Sequence, residues 1–460
     1  MRYPHERLGT GFLVVIALVL GTPCSAQWSA PVQVSRTSDG TCYPSLTVDS
    51  EQTLHATWTR GLPNYVDLIE YSCKPVGVDT WTIPVTVTRD SVGLRISIIV
   101  MGPGHQPHIF WGSEAVQGHV YVCHRSGDTW TIPKRLEAWN GTCTWPQACA
   151  DRQGRIHAVW QMTDAHSVWY VRYEDTAWVA LERIVSDTVE TIGTPAVAAD
   201  GDGFAHVVYA ANDTTGAGYL HQTGTGWTSP VYLPSYYHSY GEGPRIALDT
   251  LEWPEVVWKE GGRYAVYCGW TGDSWGPPER LDSAEGDIPT VCVDSWNQVH
   301  VFFGEDRIGM RERVRHQGRW VASLLVDPHP GRGEPVVSRN RLSLLWEMAN
   351  QPNPEWYSYR DLAPPGIDAS EAQMPVEMPP AAPNPIDQGS AVEFMLSTPA
   401  SATIDVFDSA GRLVNHLDLG LLEAGKHAFR PYPHLPCPGV YFCHIKTGFA
   451  VKVVKVVLAK

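Results

Sequence analysis

The sequence predicts an all-β protein, namely a seven-bladed β-propeller closed by its own N-terminal strand and followed by a small C-terminal β-sandwich. Three observations carry this expectation. A tryptophan followed in most copies by proline three residues later recurs as "WSAPVQV", "WTIPVTV", "WTIPKRL", "WTSPVYL" and "WGPPERL", with "WVALERI" and "WVASLLV" lacking the proline. These tryptophans, Trp28, Trp81, Trp130, Trp178, Trp227, Trp275 and Trp320, stand 45 to 53 residues apart. Between them, short apolar runs are bounded by turn residues, the period of strands and not of helices. Four short strands at a period near 50 residues match one propeller blade, which cannot bury its sheet face alone and needs its neighbours.

The first residues, "MRYPHERLGTGFLVVIALVLGTPCSAQW", join basic Arg2 and Arg7 to an apolar run from Phe12 to Leu20 and a small-residue end. That is the pattern of a secretory signal peptide, residues 1–26, too short in its apolar run to span a bilayer. The repeats then occupy residues 27–362. Three-strand groups begin near Pro44, Leu94, Pro146, Pro195, Pro244, Pro289 and Pro335, and each Trp strand precedes one of them. The first Trp strand, Trp28 to Val34, is therefore left over and is expected to supply the outer strand of the group at 335–360, removing an exposed sheet edge.

A second device repeats inside each unit. "DSEQTLHATW", "DRQGRIHAVW", "DGDGFAHVVY" and "DSWNQVHVFF" place an aspartate six residues before a histidine, around a turn. The histidines are His55, His108, His157, His206 and His300, with Glu255 and Ser343 in the other two units. A ligand site would not be copied five times in one orientation, so the expected role is a local hydrogen bond across the first hairpin. The aromatics that follow, Trp58, Trp111, Trp160, Tyr209, Trp258, Phe303 and Trp346, are expected to pack between blades.

Charge and cysteine content limit function. A net charge of −15 argues against a nucleic-acid partner, because counterion release needs a basic surface. Nine cysteines follow residue 26, an odd number with no CxxC spacing, so neither a zinc site nor a redox motif is indicated. Cys149 and Cys292 are read as small buried apolar residues. No cofactor and no metal are expected.

Candidate binding residues lie on the loops entering first strands. "EAWNGTCTWP" carries Trp139 and Trp145, and "PSYYHSYGEGP" carries Tyr236, Tyr237, Tyr240 and Glu242. Such aromatics either form platforms for sugars or peptides, with Glu242 as polar anchor, or plug the mouth of the tunnel. Glu114, Asp164, Asp213, Glu260, Glu305 and Glu347, between second and third strands, are expected to be solvated turn carboxylates. Arg311, Arg313 and Arg315 are expected on a solvated strand face.

The turns "RSGDTW", "TGTGW" and "TGDSW" resemble the Asp-box hairpin of sialidase-like propellers. That resemblance implies structural turns on the side opposite the ligand. A sialidase also needs an arginine triad, a tyrosine–glutamate pair and an aspartate. Here "YPSL" stands where an "RIP" signature would begin, and "GPRIAL" around Arg245 is the nearest approach. The resulting expectation is a binding module for glycan or protein ligands and not an enzyme, with a sialidase-like or other glycoside hydrolase, or a purely structural surface protein, as alternatives.

From Ala363 the sequence becomes a proline-rich linker, 363–382. Residues 383–460 resemble the immunoglobulin-like C-terminal sorting domain of type IX secretion cargo in Bacteroidota-like bacteria. The resemblance rests on Asn384 and Pro385, Asp408, Gly411 and Arg412 in "VFDSAGRLV", Gly425 and His427, Gly439 and Tyr441 in "GVYF", and Lys455 and Lys460. The stretch "FRPYPHLPCP" departs from it. What the resemblance implies is delivery through the periplasm to the outer-membrane surface or the medium, with the type IX machinery as partner and no transmembrane segment in the mature chain.

Overall fold

The structure, a computed structural model, describes residues 28–362 apart from 38–39, 63–65, 91–92, 114–117, 138–141, 175–176, 187–191, 212–215, 240, 283–285, 307 and 349–353. It also describes 376–377 and, apart from 397–399, 409–412, 424, 431–434, 436–437 and 448–449, residues 392–458. The expected signal peptide lies outside the described residues. The chain divides into two compact units, one spanning Cys24–Pro364 and the other containing Pro365–Lys460.

The larger unit is all-β and built from seven antiparallel sheets, each of four principal strands. The third is representative: Cys143–Ala150, Ile156–Met162, Ser167–Glu174 and Ala177–Ser186 run in chain order from one edge to the other. First strands of successive sheets contact one another in sequence, and that of the seventh, Gly331–Ser338, contacts that of the first, Thr41–Val48. In the seventh sheet the outer strand comes from the start of the chain. Val32 pairs with Tyr357 and Gln33 with Trp356, while the Ser29 amide donates to Tyr359 at 2.7 Å and that of Val34 to Glu355 at 2.8 Å.

Proline sets the length of the fourth strands. In most copies with Trp-x-x-Pro, pairing with the third strand is short, as in Lys134–Arg135, Val231–Tyr232 and Glu279–Arg280, because proline has no N–H to donate; in sheet one the strand Val85–Asp90 resumes pairing after Pro84. The two copies without it give the long fourth strands Ala177–Ser186 and Arg319–Asp327.

Each repeat tryptophan packs edge-on against an aromatic ring of the preceding sheet. The pairs are Tyr71–Trp130, Phe110–Trp178, Tyr170–Trp227, Tyr219–Trp275, Tyr267–Trp320, Phe302–Trp28 and Tyr357–Trp81, with centroids 5.0 to 5.8 Å apart and rings inclined 72 to 87°. Edge-to-face geometry sets the positive ring edge against the negative face of its partner. One of the seven pairs joins the last sheet to the first.

The repeated histidine supports that packing. In sheet three, Asp151 accepts the Gln153 and Arg155 amides, each at 2.9 Å, across a turn in which Gly154 has a φ of 79°. Its other carboxylate oxygen is 3.2 Å from His157 Nε2, and His157 Nδ1 is 2.8 Å from the Tyr170 hydroxyl. Burial holds the imidazole below its usual pKa against the opposing pull of Asp151. With the ring neutral, Nε2–H donates to the carboxylate and Nδ1 accepts from the phenol. The relay fixes the tyrosine against Trp227. Asp49–His55–Tyr71 and Asp200–His206–Tyr219 repeat it, while Glu255 and Ser343 reach Tyr267 and Tyr357 directly.

Sheet six substitutes Glu312 for the tyrosine. There His300 lies between Asp294 at 3.2 Å and Glu312 at 2.8 Å, and Arg360 of sheet seven donates to Glu312. Although burial disfavours its charge, these carboxylates outweigh it and raise the His300 pKa.

Two expectations are corrected. Glu260 and Glu305 are buried, not solvated, because loops from preceding sheets fold over the strand ends; Glu114 and Asp213 lie outside the described residues. Arg313 and Arg315 are half-buried between sheets: Arg315 donates to the Tyr267 hydroxyl at 2.7 Å and to Glu279 at 2.9 Å, and Arg313 to the Leu281 carbonyl at 2.9 Å. Cys149 and Cys292 pack beside the apolar clusters as free thiols.

In the smaller unit a three-stranded and a four-stranded antiparallel sheet share one core of Val392, Ile404, Val406, Phe429, Tyr441, Cys443, Ile445 and Leu458. Val376–Glu377, inside the stretch read as linker, pairs with Met395 and Leu396. Of the motif residues, Tyr441 is buried opposite Asp408, Gly425 has a φ of 136°, His427 Nε2 is 2.7 Å from the Glu423 carbonyl, Gly439 opens its strand and Lys455 pairs with Phe442. Gly411, Arg412 and Lys460 lie outside the described residues.

Candidate functional site

A bulge recurs where first strands begin. Register shifts fall between Cys42 and Ser45, Arg95 and Ile98, Thr144 and Gln147, and Glu242 and Arg245. Within them Tyr43, Ile96, Trp145 and Gly243 have φ values of 57, 52, 56 and 52°. Left-handed backbone is costly for tyrosine, tryptophan and above all isoleucine, and bulges of this kind re-aim side chains. At Gly243 an added Cβ would come within 2.7 Å of the Ile288 side chain, which would have to shift.

The bulges of sheets three and five open onto a cavity of about 250 Å³, which brings Trp145 and Glu242 together with Gln147, Gln161, Arg245 and Arg332. Gln147, Gln161, Arg245 and Arg332 are not among the sequence-based candidates, and Arg245 and Arg332 are both buried. Arg245 donates to the Pro244 carbonyl at 3.1 Å and faces Glu334 at 3.7 Å, while its Nε has no hydrogen-bond partner. Burial pulls its pKa down to about 10, with Glu334 opposing that shift and Arg332 adding to it. Such a charge is short of compensation and suited to an incoming anion.

Beside the cavity, Arg332 stands over the Tyr43 ring at 5.7 Å, and Tyr43 meets Trp145 edge-on at 6.3 Å. The Tyr43 amide donates to Glu347 at 2.9 Å. Glu347, expected to be solvated, is held in a site where burial pushes its pKa up to about 7 against the opposing Arg332. Directly across the hairpin lies Glu355, fully buried, whose pKa is raised first by burial and then by Glu347.

The remaining candidates separate from this cavity. Tyr236 and Tyr237 are surface-exposed, and their loop is anchored by Glu260, which accepts the Ser235 hydroxyl at 2.5 Å and the Tyr237 amide at 2.5 Å. Tyr237 stacks on Tyr264 at 5.0 Å, Arg280 covers Tyr264 at 3.7 Å, and Arg280 donates to the Tyr237 hydroxyl. This is a self-packed stack with Tyr236 as its freest ring. Trp139 and Tyr240 lie outside the described residues. The hairpins resembling Asp-boxes are tied locally, Thr129, Thr223 and Thr271 hydroxyls donating to carbonyls three residues away.

No protein-family profile matches the chain, and no curated protein matches it. Solved structures do. A polysaccharide lyase, a PL25 ulvan lyase bound to -[GlcA(1-4)Rha3S]-, superposes with a TM-score of 0.51 at 12% identity, covering 71% of this chain and 95% of that one. The fold is all-β and consistent with a β-propeller. A protein of unknown function from Dyadobacter fermentans gives 0.49 at 12% identity over 74% of this chain and 99% of that one. PorZ, a surface component of the type IX secretion system of Porphyromonas gingivalis, gives 0.43 at 11% identity over 93% and 60%. Among the described residues no helix is long and apolar enough to cross a membrane.

Proposed function

We propose that residues 27–362 form a seven-bladed propeller, closed by strand 32–33, that serves outside the cell as a binding module for an acidic glycan. The observation that carries this reading is the pairing of Trp145 with two buried arginines, Arg245 and Arg332, around one cavity. A flat ring supports a sugar face, and guanidinium forks bind carboxylate or sulfate in two-point fashion. The ulvan lyase offers a parallel in fold only, and its ligand is an acidic sugar chain. Calorimetry with uronate-containing and sulfated oligosaccharides tests the reading. Arg332→Ala and Trp145→Ala should each weaken binding by roughly 1 to 3 kcal/mol, while neutral oligosaccharides should bind poorly to the native protein. Equal binding of neutral and acidic chains would sink it.

One observation favours cleavage as a second reading. Glu347 titrates near neutrality beside Tyr43 and Arg332, as a general acid or base must. Depolymerisation of an acidic polysaccharide, abolished in Glu347→Gln, would establish an enzyme.

For the tail we infer a sorting address, supported by the compact two-sheet unit and by the motif residues of 383–460. In a secretion-competent host, deletion of 383–460 should leave the propeller in the periplasm. Export of the truncated protein would refute the assignment.

A further inference from the structure

Sheet two keeps the repeated histidine but has lost both of its partners. Gly102 stands where the aspartate belongs, and Val122, opposite Phe110, stands at the tyrosine position. His108 turns instead toward its own strand, its Nδ1 2.9 Å from the Gln106 carbonyl. A carbonyl can only accept, so Nδ1 carries the proton and Nε2 keeps its lone pair. In this arrangement the ring occupies the space of a side chain at position 102, where an added Cβ would lie 2.5 Å from it.

The missing tyrosine leaves a cavity of about 240 Å³, lined by His108, His124, Thr131, Lys134, Tyr173 and Trp178. His108 and His124 are directly opposed on neighbouring strands, with ring centroids 5.1 Å apart and planes inclined 26°. His124 Nδ1 lies 3.5 Å from the Thr131 hydroxyl. The pair has an internal control in sheet four, where His206 and His221 are opposed in the same way at 5.3 Å. There both nitrogens of His206 are taken, one by Asp200 and one by Tyr219. Only in sheet two has the sequence removed the competing groups and left a space beside the ring.

We infer that this slot binds a divalent transition-metal ion, copper, nickel or zinc, through Nε2 of His108 and Nε2 of His124. Anchoring one ring nitrogen to a backbone carbonyl while the other faces the ion is how proteins orient metal-ligating histidines. Directly opposed residues on antiparallel strands are close enough for two imidazoles to reach one ion. Imidazole donors select borderline metals over hard cations such as magnesium, which need oxygen ligands. Cys123 is no third ligand, since its side chain packs into the apolar interface with sheet one. Among the described residues no cluster of three or more ligating side chains occurs, so solvent completes the coordination and the ion exchanges readily.

The untagged full chain is titrated with Zn²⁺, Cu²⁺ and Mg²⁺ by calorimetry, and the Cu²⁺ form is examined by electron paramagnetic resonance. One Cu²⁺ with nitrogen hyperfine structure is expected, Zn²⁺ should compete for it, and Mg²⁺ should not. His108→Gln and His124→Gln should each lower affinity at least about tenfold. Val122→Tyr, which restores the residue that other sheets carry and fills the slot, should do the same even if a histidine variant folds poorly. Undiminished binding in His108→Gln or Val122→Tyr, or no saturable binding by the native chain, overturns the proposal.

Discussion

Deleting residues 28–35 should cost the larger unit roughly 5 kcal/mol or more and lower its melting temperature by on the order of 10 °C, with aggregation on heating. The segment is short, yet its losses are of several kinds. Val34 is 1% exposed and sits in the cluster of Trp58, Trp81, Leu345 and Tyr357; burying such a side chain is worth about 2 kcal/mol. Trp28 packs on Phe302, and its indole N–H donates to Glu312 at 3.1 Å. Removing it opens the His300–Glu312–Arg360 cluster to water on one side. The strand Glu355–Asp361 would also become an edge with unpaired amides and carbonyls, a template for association. Calorimetry and light scattering on the deleted protein measure both effects. Trp28→Ala alone should lose a part of the stability, about 3 kcal/mol, without exposing the edge. An unchanged melting curve after deletion would mean that pairing of the chain's start with the seventh sheet does not hold the unit together.

The sequence-level reading was strongest where the determinant is local. The hairpins with aspartate six residues before histidine and the Trp-x-x-Pro strands are short-range devices whose backbone logic sits within ten residues, so spacing alone points to their roles. The edge-on contacts of Trp130 with Tyr71 or Trp81 with Tyr357 join residues of different sheets, and no period in the sequence states which ring meets which. The candidate site was less legible for the same reason. Trp145 and Glu242 were recognisable as loop residues near first strands. Arg245 stands out in the sequence only as the nearest approach to an arginine signature, and Arg332 looks like an ordinary strand arginine until three sheets bring them to one cavity. A partial signal was present, however. A proline follows the left-handed residue of three bulges, in Tyr43-Pro44, Trp145-Pro146 and Gly243-Pro244, but Pro195 and Pro335 stand in first strands without a register shift, so the sequence alone does not mark which strands bulge. The acidic turn residues misled because charge was read without the covering loop: Glu260 is buried by the very segment, 235–237, that it anchors.

Raising the pH from 5 to 8 should destabilise the larger unit through Glu347 and Glu355, and Glu347→Gln should remove the part of that dependence that Glu347 carries. In the unfolded chain the Glu347 carboxyl ionises near 4.5, whereas burial holds it back to about 7 in the folded protein. Between those values the folded state binds more protons than the unfolded one, so its stability falls as pH rises. The contribution is fully present below 4.5 and lost by the time pH passes 7, amounting to about 3 kcal/mol across the window. Glu355 acts in the same direction, because burial and the neighbouring Glu347 carboxylate both disfavour its charge. Arg332 and the Tyr43 amide limit the Glu347 shift, while Asp287 and Glu334 enlarge it, so Arg332→Ala should steepen the loss. The histidine relays work oppositely: His55, His157 and His206 have lowered pKa values through burial and cost stability as pH falls below about 6.5. Comparing denaturant midpoints of native protein and Glu347→Gln at each pH cancels that histidine contribution. The glutamine variant should be the more stable of the two at pH 8 and lose its advantage at pH 4.5. Parallel curves at all pH values would place the Glu347 carboxylate in contact with solvent and remove the basis for its role as a proton-holding group beside Tyr43 and Arg332.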